Sequence, residues 1–339
     1  MSIAFIGAST LFPKKLWVRT IAVISGVWGL SSFCGPLIGG YFVSGGNWRG
    51  AFWAFAAQGL VAVLVAPPLL RRQFQTQKEQ NQRMPLSRLG LLGVAVLAIC
   101  QAGVMASTVF ASFLCVGGVL LLLAFLKLDA GSKNRIFPQG VLNPRTVPGS
   151  GLVMMSSLFM ATIALTVYGP LLMYIIFGAE PLVAGYIIAL ESLGWTVVAI
   201  TTSGVSVRVE ARLIRLGSVL VSISMVGLIY AMPSGPIWLI ALLSSIMGIG
   251  FGMSWSFVSK RIIANVSEAE RAQASASIPT FMRVSMALGS ALSGIIANFS
   301  GFSEDSSVEV AQNVAFWCFA AFVPLIVVGL FTAWRVSRE

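Results

Sequence analysis

The chain of 339 residues is 57% hydrophobic and 10% charged, with a mean hydropathy of +0.90, where a soluble globular chain carries about 25% charged residues. So much apolar surface excludes an ordinary water-soluble fold. A net charge of +11 and a pI of 10.1 would suit a nucleic-acid binder, but the placement of the charges along the chain excludes that too.

Residues 1–12, MSIAFIGASTLF, are apolar but cover only about 18 Å as a helix, short of a hydrocarbon core about 30 Å thick. They carry neither the basic leader nor the cleavage site of a signal peptide. They read as a helix stub that ends at the turn FPKK. Ten runs long enough to cross the bilayer come after it, near 17–43, 50–70, 89–106, 108–127, 149–176, 182–204, 213–232, 235–258, 273–298 and 312–334. The fold class is therefore all-α and integral to a membrane, with about ten full transmembrane helices and an N-terminal stub.

Basic residues mark the cytoplasmic loops of such proteins. Lys14, Lys15 and Arg19 open the first span; Arg71, Arg72, Lys78, Arg83 and Arg88 follow the second; Lys127, Lys133, Arg135 and Arg145 follow the fourth. Arg208, Arg212 and Arg215 follow the sixth, Lys260, Arg261 and Arg271 the eighth, and Arg335 and Arg338 the last. The alternate gaps hold Arg49 alone, and the gap at 299–311 is acidic. This alternation places both ends of the spanning region on the cytoplasmic face and makes a multi-pass cell (inner) membrane protein with a cytoplasmic C-terminus. The positive charge reports orientation, so the lipid bilayer, not nucleic acid, is its partner.

The domains expected are a partial N-terminal bundle at 1–70, a cytoplasmic loop at 71–88, a two-helix hairpin at 89–127, a second loop at 128–148 and a six-helix bundle at 149–339. AFWAFAA at 51–57 returns as AFWCFAA at 315–321, the trace that an internal repeat leaves in a transporter. Cys34, Cys100, Cys115 and Cys318 fall inside spans without metal-ligand spacing, and histidine is absent; they read as small packing residues. No cofactor and no metal are expected. An enzyme would need acids, bases or ligands clustered at one depth, and the spans offer no such set.

The first full span, GVWGLSSFCGPLIGGYF, sets Gly26 ahead of Gly35, Pro36, Gly39 and Gly40. Small residues at this spacing bare one helix face for close packing, and Pro36 permits a kink. This pattern resembles the antiporter motif of the major facilitator superfamily, found on the fifth helix of its drug:proton antiporters, and NWRGAFW resembles the loop and sixth helix that come next in that family. The hairpin ending in NRIFP looks like the fourteen-helix branch, and YGPLLMYIIFGAEPLVAGYIIALESLGW resembles the start of the C-terminal bundle. VSVRVEARLIRLG at 205–217 sits where a second loop signature would lie but lacks its glycine and aspartate pattern.

The resemblance implies a secondary transporter that moves small lipophilic or cationic compounds outward, driven by the proton gradient, as two bundles rock about a central cavity. The motif would pack the first span against the C-terminal bundle through Gly35, Gly39 and Gly40. On this alignment residues 1–12 end the fourth helix, so the chain reads as N-terminally truncated. The alternatives are a transport-incompetent remnant of such a transporter, or a channel or membrane scaffold. The substrate's identity and the oligomeric state are not written in the sequence.

Two charges fall deep within spans, Glu191 and Arg283, each costing about 2.5–3.5 kcal/mol to insert. Glu191 reads as a proton-exchanging or cation-recognising carboxylate or as half of a structural pair with Arg283; Arg283 reads as a coupling residue or as a side chain reaching toward the surface. Tyr168, Trp195 and Trp255 are candidate cavity walls for flat or cationic ligands, or packing residues. Gln58, Gln101 and Asn298 are expected to bridge helices for about 0.6 kcal/mol each, and Pro170, Pro279 and Pro324 mark expected kinks.

Overall fold

A computed structural model describes residues 12–44, 46–74, 85–105, 107–132, 135–140, 143–302 and 307–338. The stub, most of the 71–88 loop and the carboxylates Glu304 and Asp305 of the acidic gap lie outside the described residues. Among those described, eleven α-helices form: α1 (Trp17–Ser44), α2 (Trp48–Phe74), α3 (Leu86–Ala102), α4 (Thr108–Ala130), α5 (Val147–Phe177), α6 (Pro181–Thr201), α7 (Val207–Ser234), α8 (Ile237–Ala264), α9 (Arg271–Phe299), α10 (Val308–Ala320) and α11 (Val323–Val336). The expected all-α membrane fold is what the chain adopts.

Helix limits follow local chemistry. Thr146 caps α5 by accepting from Gly149 N–H at 3.2 Å, and Pro148 in the first turn has no N–H to leave unpaired. At its other end Gly178, at φ 64°, takes the left-handed conformation and directs its N–H to Tyr174 O. Pro181 starts α6 three residues later. The last span differs from expectation: it is two helices, interrupted at residues 321–322. Pro324 lacks the N–H that would reach the carbonyl of Ala320, and its ring crowds that carbonyl, so α10 ends at Ala320. Pro36, Pro170 and Pro279 sit inside continuous helices instead.

α5 lies at the centre of the bundle, touching each of α6 to α11. Leu158, Leu165, Leu172 and Met173 on α5 are fully or almost fully buried. Bare glycine faces set the closest crossings. On α8 the run GIGFG sends Gly248 and Gly252 against the main chain of α6 and Gly250 against Gly217 and Val221 of α7, so backbones meet where side chains would hold them apart.

The hairpin of α3 and α4 packs on α9. Gly103 meets Gly294, Asn298 donates to Met105 O at 3.1 Å, and Phe137, just beyond α4, meets Phe281 with ring centres 4.6 Å apart. Asn298 thus ties α9 to the turn between α3 and α4 rather than to a second helix, and Gln58 and Gln101 are exposed. At 17 residues α3 spans about 26 Å, short of a full crossing. α1 leans on α6, and α2 packs chiefly on α1, with every side chain from Phe52 to Pro67 exposed. In the repeat-like segments Phe52 and Trp53 are exposed, as are their counterparts Phe316 and Trp317, but Phe55 is exposed where Phe319 is buried.

Candidate functional site

A cavity of about 470 Å³ lies between α1, α5, α6 and α9, within the size range of small-molecule sites. α6 contributes Gly185, Ile188, Ala189, Glu191, Ser192 and Trp195; α1 contributes Ser31, Ser32, Gly35 and Pro36. Phe159, Thr162, Ile163 and Thr166 come from α5, and Arg283 and Met286 from α9. Glu191 and Arg283, 92 residues apart in sequence and the two deep charges of the spans, therefore face one space.

Glu191 owes its place to the crossing of α6 and α8. A Cβ at Gly248 would come within 2.8 Å of Glu191 Cα, and one at Gly252 within 3.1 Å of Trp195 Cα, so α6 lies directly on α8 and its opposite face opens to the cavity. Trp195 belongs to both sides of this arrangement. Its ring stacks on Phe251 at 5.2 Å and 20° and on Phe159 at 5.9 Å and 26°, and Phe159 stacks on Phe251 at 5.0 Å and 6°. Trp255 meets Phe159 and Trp195 obliquely or edge-on, at 5.4 and 5.5 Å.

Of the aromatic candidates only Trp195 reaches the cavity. Trp255 is 4% exposed and buttresses the wall from behind. Tyr168 points elsewhere, onto Phe302 at 6.5 Å, because one position on α5 differs by about 100° from the next and the cavity face is the one that holds Thr162 and Thr166. Phe159 is the wall residue the sequence reading missed; its aromatic neighbours lie on two other helices, and pairing across helices has no local signature.

The glycine motif also divides. Pro36 lies against Gly185, where a Cβ would meet its ring at 3.3 Å, and Gly26 comes near Ile200. The tightest approach is at Gly29, whose added Cβ would fall 2.8 Å from Thr196 Cβ; Ser32 Oγ donates to Ser192 Oγ at 2.9 Å. Gly35 lines the cavity and Gly39 has open space around it; Gly40 lies on the same helix. At the described positions the α1–α6 contact runs through Gly29, Ser32 and Pro36 rather than through Gly35 and Gly39; the surroundings of Gly40 lie outside what is described. The GxxxG at 248–252 is a legible signal for the second crossing.

Chemically, the cavity offers one carboxylate, one guanidinium, hydroxyls on three sides and a flat aromatic wall. Such a set can hold an amphipathic molecule and exchange a proton or cation at Glu191.

Residues 1–156 match the family model described as the Major Facilitator Superfamily. Across 347 aligned residues the chain is 27% identical to a probable multidrug-efflux transporter of Mycobacterium tuberculosis, in each of two strains, covering 98% of this chain and 70% of the relative. It is also 24% identical to a riboflavin transporter of Clostridioides difficile over 95% of this chain and 72% of that protein. The matched segment holds α1 to α4 and the first third of α5, including the α1 side of the cavity.

Proposed function

We propose that this chain is a secondary transporter of the Major Facilitator Superfamily, exporting small lipophilic or cationic compounds in exchange for protons by alternating access. The observation that carries the reading is that Glu191 and Arg283 line one largely apolar, aromatic-walled cavity between α1 and the central bundle. A carboxylate there can bind a cationic substrate or a proton but not both at once, which couples one to the other. Arg283 makes occupancy by protons or cations sensitive to where its guanidinium sits. The resemblance to fourteen-helix drug:proton antiporters and the multidrug-efflux name of the mycobacterial relative support the substrate class. The alternation of basic gaps supports a cell-membrane location with the C-terminus in the cytoplasm.

The test is transport in proteoliposomes under an imposed pH gradient, with ethidium as the cationic probe and riboflavin as a neutral flat one. Gradient-driven ethidium movement that Glu191→Gln abolishes, with the variant still inserted and monodisperse, is the expected result. Flux of equal size with and without the gradient would make the protein a channel. Transport of ethidium by Glu191→Gln at the original rate would remove the carboxylate from the mechanism.

A further inference from the structure

A second cavity, of about 330 Å³, opens where α5 begins and α11 ends. It is lined by Arg145, Thr146, Val147, Ser150, Arg335 and Arg338, and no carboxylate is among the described side chains that line it. Three arginines lining one space, with no acid among its described lining residues, create a field that an anion would relieve; Arg335 Nη1 also donates to Pro144 O at 3.0 Å, which holds that arginine at the cavity. The helix ends do not supply that anion. The α5 N-terminus is already capped by Thr146, and Ser150 Oγ donates to Pro144 O at 2.6 Å. The carbonyls at the end of α11 are also occupied: Val336 O accepts from Arg261 Nη1 at 2.5 Å and Ser337 O from Arg215 Nη2 at 3.4 Å, while Arg215 Nε donates to Ser337 Oγ at 2.6 Å. Those two arginines add positive charge beside the cavity.

The apolar surface leading to it is equally specific. Val327, Phe331 and Trp334 form one stripe along α11 and are 59%, 59% and 48% exposed. Arg335 lies over the Phe331 ring at 4.7 Å and Arg215 over Trp334 at 5.0 Å. An exposed apolar stripe that ends under guanidiniums has the polarity profile of the boundary between hydrocarbon and headgroups. An amphiphile with an anionic head and long apolar tails matches both parts, and basic pockets at helix ends take anionic lipid headgroups.

We propose that Arg145, Arg335 and Arg338 hold the phosphate of an anionic phospholipid whose acyl chains lie along Val327, Phe331 and Trp334. Guanidinium suits this role because its fork of donors matches two phosphate oxygens at once. The lipid ties the start of α5 to the end of α11 at one edge of the bundle.

The purified full chain in detergent, titrated with dioleoyl phosphatidylglycerol and with dioleoyl phosphatidylcholine, tests this by native mass spectrometry; sodium phosphate is titrated in parallel by thermal shift. Phosphatidylglycerol should be retained in preference to phosphatidylcholine. Replacing Arg145, Arg335 and Arg338 together by Gln should weaken that retention about ten- to a hundredfold, while the triple Lys variant keeps most of it. If the triple Gln variant does not elute as a single folded peak, Arg338→Gln alone, at an exposed position, should cost about fivefold. Equal retention of phosphatidylglycerol by the wild type and the folded Gln variants would overturn the proposal. Inorganic phosphate binding as tightly as phosphatidylglycerol would overturn it as well, since the tails would then contribute nothing.

Discussion

Gly248 lies against the main chain of Glu191: a methyl group at position 248 would stand 2.6 Å from the Glu191 carbonyl carbon and 2.8 Å from its Cα. No side-chain rotation relieves that overlap, because both partners are backbone. The position of the half-buried Glu191 is therefore fixed by the absence of an atom on the neighbouring helix. Gly248→Ala should push α6 away from α8, cost about 1–3 kcal/mol and reduce gradient-driven ethidium transport, although residue 248 touches no substrate. Gly39→Ala, where space is open, is the matched control and should change neither the melting temperature nor the rate. Equal effects of the two would show that the α6–α8 crossing does not set the site.

Trp255 supports the cavity wall without reaching the cavity. Trp255→Ala should lower stability by about 3–5 kcal/mol and loosen Phe159 and Trp195, raising the substrate concentration needed for half-maximal transport. Trp255→Phe keeps an aromatic edge and should retain most of both. A Trp255→Ala protein with an unchanged melting temperature would mean that the four-ring cluster contributes little.

Asp129, 3% exposed, joins three segments. Its carboxylate accepts from Arg88 Nη1 at 2.5 Å, from Ile136 N–H at 2.9 Å and from Phe137 N–H at 3.0 Å. Asp129→Ala should cost about 3–5 kcal/mol by breaking the buried ion pair with Arg88 and removing the acceptor of two backbone N–H groups, and should release the 135–140 segment. Limited proteolysis within that segment, measured beside the wild type, should accelerate; an unchanged digestion rate would count against the assignment. Asp129→Asn keeps part of the acceptor set and should fall between.

Asn298 tests the other end of the hairpin. Asn298→Ala should cost about 0.6–1.7 kcal/mol and leave transport intact. Combined with Asp129→Ala, it should free α3 and α4 from α9, read as increased hydrogen exchange across Leu86–Ala102. Exchange no faster than in the single variants would mean that packing at Gly103 and Gly294 holds the hairpin without either polar anchor.

The fold is readable because a bilayer leaves few choices: length and hydropathy mark the spans, and basic gaps mark their alternation. Glu191 and Arg283 stand out for the same reason, since a charge at that depth contrasts with everything around it. Residue type alone suggests Trp255 and Tyr168 for the wall, and type does not say which side of a helix meets which neighbour. Asp129 and Glu210, which pairs with Lys260 at 2.6 Å, lie near helix ends where carboxylates attract no notice; their partners, 41 and 50 residues away, emerge only when the chain is folded. The break before Pro324 is half legible: the proline is visible, but a kink and an interruption read alike in sequence.

The hairpin that packs on α9 also answers a question of solvation. Among the described residues α4 contains the most apolar span, with a mean hydropathy of 2.7, while the stretch that includes α9 reaches 1.4 and is crowded with serine, glycine and alanine around Arg283. A helix of that composition is a poor match for hydrocarbon on every side. α3 and α4 cover one flank of α9, which would spare that flank contact with hydrocarbon in a bilayer, so the polarity that α9 can carry depends on helices that do not line the cavity.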